Sequence, residues 1–240
     1  VGVSYWQKDS RLAAPLNSEL KTVMDFPLMY ILDSFADEET DEWGSGLAKV
    51  QEYIGQDRVY ADVNHLLTFL ANHDTDRFQP TAEKAKNVDR YKQALTLLLT
   101  LRGIPQLYVG DEIGMYANKS VNDGALRQDF PGGFPGDRRN AFADSSRTKL
   151  QNQYFNFTKK LLNWRKGNAT VAFGKLTHYT IRNGCYVYAR QKDGKTVTVV
   201  MNGTDKKQTL DLGVYKEVMP ANKAYDLITE TDVELTDRSE

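Results

Sequence analysis

Three polar residues, Asn72, His73 and Asp74, follow directly on the apolar run LLTFLA of residues 66–71. An imidazole and a carboxylate side by side at a strand end can share a proton, grip hydroxyl groups or stabilise developing positive charge. They can equally do no more than hydrogen-bond the turn that follows. A second chemically rich stretch begins after the next apolar run, from Gly110 to Phe142. It carries carboxylates (Asp111, Glu112, Asp123, Asp129, Asp137), arginines (Arg127, Arg138, Arg139) and aromatics (Tyr116, Phe130, Phe134, Phe142) among many Gly and Pro. More than thirty residues without clear periodicity are unusual inside a compact domain and usually mark a functional loop. Acids and arginines bond hydroxyls and aromatic faces stack on sugar rings, so the mixture suits a polyhydroxylated, uncharged ligand. Any one of the aromatics can instead be local packing. His65 and His178 have no partners at ligand spacing and read as structural.

The elements that must position these groups alternate. A strand is expected at Thr22 to Phe26, closed by Pro27. An acidic stretch leads into a helix with Leu47, Val50 and Ile54 on one face. LLTFLA reads as a strand buried on both sides. Val88, Tyr91, Leu95, Leu98 and Leu99 make a helical stripe that Gly103 would stop. Ile104 to Gly110 is a third buried-type strand, and Tyr154, Phe157, Leu161 and Trp164 define a last amphipathic helix ending at Gly167. Strands alternating with helices imply βαβ units and a parallel sheet, either doubly wound or a (β/α) barrel. Ligands bind at the carboxyl ends of the strands in both, which is where Asn72–Asp74 and the long loop sit. After about residue 170 the pattern changes. KLTHYTIR and CYVYARQ flank Asn183-Gly184, and Asp193-Gly194 precedes TVTVVMN, both hairpin signals. QTLDLG and AYDLITE read as further strands, and TDRSE offers no obvious closing strand.

The bulk numbers exclude several classes. Net charge is −1 with both signs mixed along 240 residues, so no basic stripe offers itself to nucleic acid. The longest apolar segment, Ala94 to Leu101, is too short to span a bilayer and runs into Arg102, so no membrane insertion is expected. The single cysteine, Cys185, rules out an internal disulfide and a multi-cysteine metal site and reads as a small core residue.

FLANHDTDRF followed by GIPQLYVGDEIGM resembles the alpha-amylase family of glycoside hydrolases, in particular its neopullulanase and cyclomaltodextrinase branch. VMDFPL and NDGALRQDFPGGFPGD resemble two further segments of that branch, in family order. The resemblance implies an α/β fold: the C-terminal part of a TIM (β/α)8 barrel, about strands six to eight with their helices, over residues 1–168. A small antiparallel β domain follows over 169–240, truncated at its end. It implies a retaining enzyme acting on α-1,4-glucosidic bonds in maltodextrin, cyclodextrin or pullulan, with an α-glucan oligosaccharide as partner. No cofactor and no metal-ligating residue is assigned, and the sequence leaves calcium open. By that match Asp74 is the catalytic carboxylate that stabilises the oxocarbenium-like transition state. His73 bonds the same sugar, Arg77 belongs to the same motif, and Asp123 with Arg127 holds a glucose unit further along. The family's nucleophile and general acid, which must flank the scissile bond about 5 Å apart, find no matching segment. Val1 falls just after the family's general acid. The expectation is therefore a C-terminal piece that is inactive alone, of a parent that is secreted or periplasmic rather than cytoplasmic. Three strands cut from a barrel leave bare edges through which copies can self-associate. Two other readings stay open. One is a non-catalytic carbohydrate-binding or scaffold protein derived from an amylase barrel. The other takes His73-Asp74 as the metal dyad of a phosphohydrolase, for which further histidines are lacking.

Overall fold

The computed structural model describes residues 2–11, 18–40, 43–236 and 238–239. Three strands, β1 (Val23–Met24), β2 (Leu66–Phe69) and β3 (Ile104–Gln106), form a parallel sheet in the order β1-β2-β3. Val23 pairs with Leu66, and Leu67 pairs in turn with Ile104. All three carboxyl ends therefore open on one side. Among the described residues β1 and β3 each pair on one edge only.

The first connection differs from expectation. The strand expected over Thr22–Phe26 is only two residues long, because Pro27 does not close a strand: it opens a helix. Helix α1 (Phe26–Ser34) starts there, with the Asp25 side chain accepting from the Leu28 N–H at 3.2 Å. Proline's fixed φ and missing N–H suit the first helical turn, where that N–H would have no intrahelical partner. Helix α2 (Leu47–Ile54) buries the expected Leu47, Val50 and Ile54. A short α3 (Ala82–Ala85) precedes α4 (Val88–Thr100), which is capped by the Asn87 side chain and buries its leucine stripe. Gly103 then turns the chain into β3. Its φ is +104°, and a Cβ there would lie 2.7 Å from the Leu66 carbonyl oxygen, so only glycine fits. The third strand stops at Gln106 instead of Gly110, releasing Leu107–Gly110 to the loop that follows. A four-residue α5 (Asp123–Leu126) interrupts that loop. Helix α6 (Lys149–Arg165) opens with a capping box between Thr148 and Gln151, and α7 (Ala169–Phe173) leads out of the parallel layer.

The antiparallel part comprises β4 (Lys175–His178), β5 (Cys185–Lys192) and β6 (Lys195–Asn202) in that order. β7 (Leu210–Asp211) pairs with β10 (Arg238–Ser239), and β8 (Lys223–Asp226) with β9 (Thr231–Glu234). QTLDLG is thus mostly not strand, and the C-terminal segment does supply a short closing strand. At the β5–β6 turn Asp193 and Gly194 both have positive φ, as the Asp-Gly pair predicts. Strand β5 is buried on both faces. Tyr186 and Tyr188 enter the same core as Val50, Tyr53 and Ile54 of α2 and the leucines of α4, while Val187 and Ala189 pack on Leu212, Tyr215 and Val218. The β module is therefore not a loose appendage: one continuous core joins it to the helices. Cys185 is buried, as expected of a core residue.

One polar cluster lies inside this core. Arg102 donates to Asp25 at 2.6 Å and to both oxygens of Asp57, and the Tyr53 hydroxyl donates to Asp25 at 2.5 Å. Burial alone would pull the Arg102 guanidinium down, but Asp57 and Asp25 outweigh it and hold its pKa up. The cluster ties the start of α1, the end of α2 and the start of β3 into one frame.

Candidate functional site

The site is built by two loops at the carboxyl ends of β2 and β3. The first turns sharply at Asn72. That residue is buried, and its side-chain oxygen accepts from the Asp74 N–H at 2.8 Å, while its own N–H donates to the Thr75 hydroxyl. An Asx turn of this kind rotates the chain so that His73 and Asp74 face solvent. Their side chains are about three-fifths exposed, with Nε2 of His73 at 3.3 Å from Asp74 Oδ2.

The second loop brings α5 against them. The Asn122 side chain caps α5 by accepting from the Ala125 N–H. One turn later Arg127 reaches across. Its Nη2 donates to Asp74 Oδ1 at 3.0 Å and to Asp123 Oδ2 at 3.3 Å, and its Nε donates to the His73 carbonyl oxygen at 3.1 Å. Four of the five residues expected at the site, His73, Asp74, Asp123 and Arg127, are thus brought into one cluster from two segments about fifty positions apart in the chain. All four remain open to solvent.

Arg77 behaves differently. It is fully buried, donates to the Val109 carbonyl oxygen at 2.8 Å and lies over the Tyr108 ring at 4.5 Å. Its side chain lies beneath the other four and not among them. The Arg77 N–H also donates to the Ala117 carbonyl, and the Ala117 N–H donates back to the Gln79 carbonyl. Arg77 therefore clamps the two site loops together from beneath. Next to it Asp111, 3.7 Å from the Arg77 guanidinium, is almost fully buried. Burial pushes its carboxyl up to about 7, with Arg77 opposing and Glu112 reinforcing the shift.

Two contributors escape a reading of the sequence. Lys119 donates through Nζ to the Asp74 carbonyl oxygen at 2.8 Å, and its backbone N–H donates to Asp76. Asp76 also accepts from Asn118. The second Asp of the D-T-D run is a visible signal for a loop-bridging acceptor. Nothing in the residues around Lys119 signals its role. The other histidines are structural in their contacts: His65 lies 3.5 Å from Asp62, and His178 bonds the Tyr186 hydroxyl.

Residues 5–143, which carry this cluster, match the family described as alpha amylase, catalytic domain. The chain belongs to the alpha-amylase family. Residues 176–240 of this family member match the cyclo-malto-dextrinase C-terminal domain. It is 31% identical over 169 residues to an alpha-amylase of Niallia circulans, covering 70% of this chain and 28% of that protein. It is 34% identical over 169 residues to a cyclomaltodextrin glucanotransferase of Bacillus sp. (strain 6.6.3), covering 67% of this chain and 20% of that one. Among solved structures it resembles the alpha-amylase of Geobacillus thermoleovorans complexed with acarbose, with a TM-score of 0.62 and 26% identity, over 85% of this chain and 41% of that chain. The amylase-family chain thus spans between a fifth and under a half of the length of these relatives. Its three parallel strands with their helices are part of a TIM-barrel-derived fold.

Proposed function

We propose that the chain is the glucan-gripping C-terminal part of a retaining α-glucan hydrolase of the neopullulanase and cyclomaltodextrinase branch. In this reading β1, β2 and β3 are strands six to eight of the catalytic barrel. Residues 1–168 are its C-terminal portion, and 169–240 are the accessory β domain. The observation that carries the reading is the joining of Asp74 and Asp123 through a single guanidinium, Arg127, on the open side of the sheet.

The chemistry follows from that arrangement. Asp74 accepts two hydroxyls of the glucose unit at the scissile bond, with His73 donating to the same unit. Charge-assisted hydrogen bonds of this kind strengthen as positive charge grows on the ring, so they favour the oxocarbenium-like transition state over the ground state. Arg127 sets the distance between Asp74 and Asp123, so that Asp123 meets the neighbouring glucose. Arg77 takes the part of an anchor: it holds the two loops in register and does not touch sugar. The nucleophile and general acid, which must flank the bond, come from outside these 240 residues. The chain alone then binds α-glucan without cleaving it, and the open edges of β1 and β3 are where the rest of the barrel, or another copy, pairs.

Two measurements on the chain test this. Calorimetric titration with maltotriose should show one saturable site, weakened at least about tenfold in Asp74→Asn. A reducing-end assay on maltooligosaccharides should show no hydrolysis. Absence of binding, or hydrolysis by the chain alone, would contradict the proposal.

A further inference from the structure

The tip that carries His73 and Asp74 is tied to the second loop through its backbone as well as its side chains. Two consecutive carbonyl oxygens each receive a cation from that loop. Arg127 Nε donates to the His73 oxygen at 3.1 Å, and Lys119 Nζ donates to the Asp74 oxygen at 2.8 Å. The first carbonyl belongs to the peptide plane entering Asp74 and the second to the plane leaving it. A residue has only two soft backbone dihedrals, one on each side of its Cα. Holding both planes therefore fixes φ and ψ of Asp74, and with them the direction in which its carboxylate leaves the chain.

Lys119 is itself held in place. Asp76 Oδ1 accepts from the Lys119 backbone N–H at 2.5 Å, and Asp76 Oδ2 accepts from the Asn118 side chain at 3.2 Å. Asn118 closes an Asx turn, its Oδ1 accepting from the Ser120 N–H at 2.8 Å, and its carbonyl receives the Val121 N–H at 3.2 Å. The contacts make a ring: Asp74 to Asp76 along the chain, Asp76 to the Lys119 backbone, and the Lys119 ammonium back to Asp74. Lys119 and Asp76 are exposed, so such contacts add little to folding. Their value lies in order: a carboxylate already aimed loses less freedom when a ligand arrives.

We propose that Lys119 is a positioning residue for Asp74. Together with Arg127 it clips the two peptide planes that flank Asp74 and so aims the carboxylate at the sugar, with Asp76 as its own anchor. The inference rests on the glucan reading above and adds to that site a residue that does not touch the sugar.

The test measures maltotriose binding by calorimetry in the unmodified chain, Lys119→Met, Lys119→Arg, Asp76→Asn and the double variant Lys119→Met with Asp76→Asn. Lys119→Met should weaken binding about five- to tenfold. Lys119→Arg, which keeps the cation, should recover most of that loss, as a merely space-filling role would not require. Asp76→Asn should weaken binding less, and the double variant should bind no more weakly than Lys119→Met, because both changes open the same ring. Urea midpoints of all four variants should match the unmodified chain. Three results would overturn the proposal while leaving the glucan reading intact: affinity in Lys119→Met within about twofold of the unmodified chain, no recovery in Lys119→Arg, or a lowered urea midpoint in Lys119→Met. Additive losses in the double variant would overturn the part given to Asp76. Failure of the unmodified chain to bind maltotriose would overturn both readings.

Discussion

Two clusters of this protein have the same composition, two aspartates bridged by one arginine, and opposite surroundings. Inside the core Arg102 joins Asp25 to Asp57, and at the loop rim Arg127 joins Asp74 to Asp123. The interior guanidinium and Asp25 are essentially inaccessible, and Tyr53 satisfies the remaining oxygen of Asp25. The rim groups are roughly half exposed. Burial is what separates their jobs. A desolvated pair is committed to its partners, because removing one leaves an uncompensated charge in a low dielectric. A solvated pair contributes little to stability and exchanges water, or a ligand's hydroxyls, at low cost. The same chemistry is frame in one place and site in the other.

Breaking the interior cluster should give the largest effect. Arg102→Met leaves Asp25 buried without its cation and should lower the free energy of unfolding by about 3–5 kcal/mol, read from urea titration. Asp111→Asn probes an intermediate case, a buried carboxyl beneath the rim. Its folded-state pKa is raised to about 7 from an ordinary 3.8, so between those values the folded state holds a proton that the unfolded state has released. That contribution to stability is therefore full below about pH 4 and lost as pH rises towards 7. The Asp111 contribution should fall by a few kcal/mol across that window, at about 1.36 kcal/mol per pH unit, so the unmodified chain should lose more stability than Asp111→Asn between about pH 4 and 7. Tyr53→Phe removes one hydrogen bond to Asp25 and should cost about 1–2 kcal/mol. Arg127→Ala should cost the least, under about 1 kcal/mol, yet weaken maltotriose binding. A large stability loss in that last variant would erase the distinction between the clusters.

Part of this is legible in the sequence. The stripe of α4, the turns at Asn183-Gly184 and Asp193-Gly194, and the polar tip after LLTFLA are local signals, and each appears where expected. Phe26-Pro27 misleads because an apolar residue followed by proline suits a strand end and a helix start equally; the cap made by Asp25 decides between them, and it is a tertiary residue as well. The third strand is shorter than its apolar run because Leu107 to Val109 serve the loop, where the Val109 carbonyl receives Arg77. Arg77 itself carries no mark of burial: a motif shows that an arginine is present, not which way it turns. The contribution of Lys119 is hidden for the same reason, since its contact with Asp74 spans 45 positions.

The central claim is that His73 and Asp74 face a sugar, and the chain carries three histidines to test it. Their imidazole proton signals can be resolved by NMR and followed during addition of maltotriose. The account predicts that the His73 signal shifts saturably while those of His65 and His178 stay in place, and that Asp74→Asn weakens the response. A His73 signal that does not move, or three signals that move together, would contradict it.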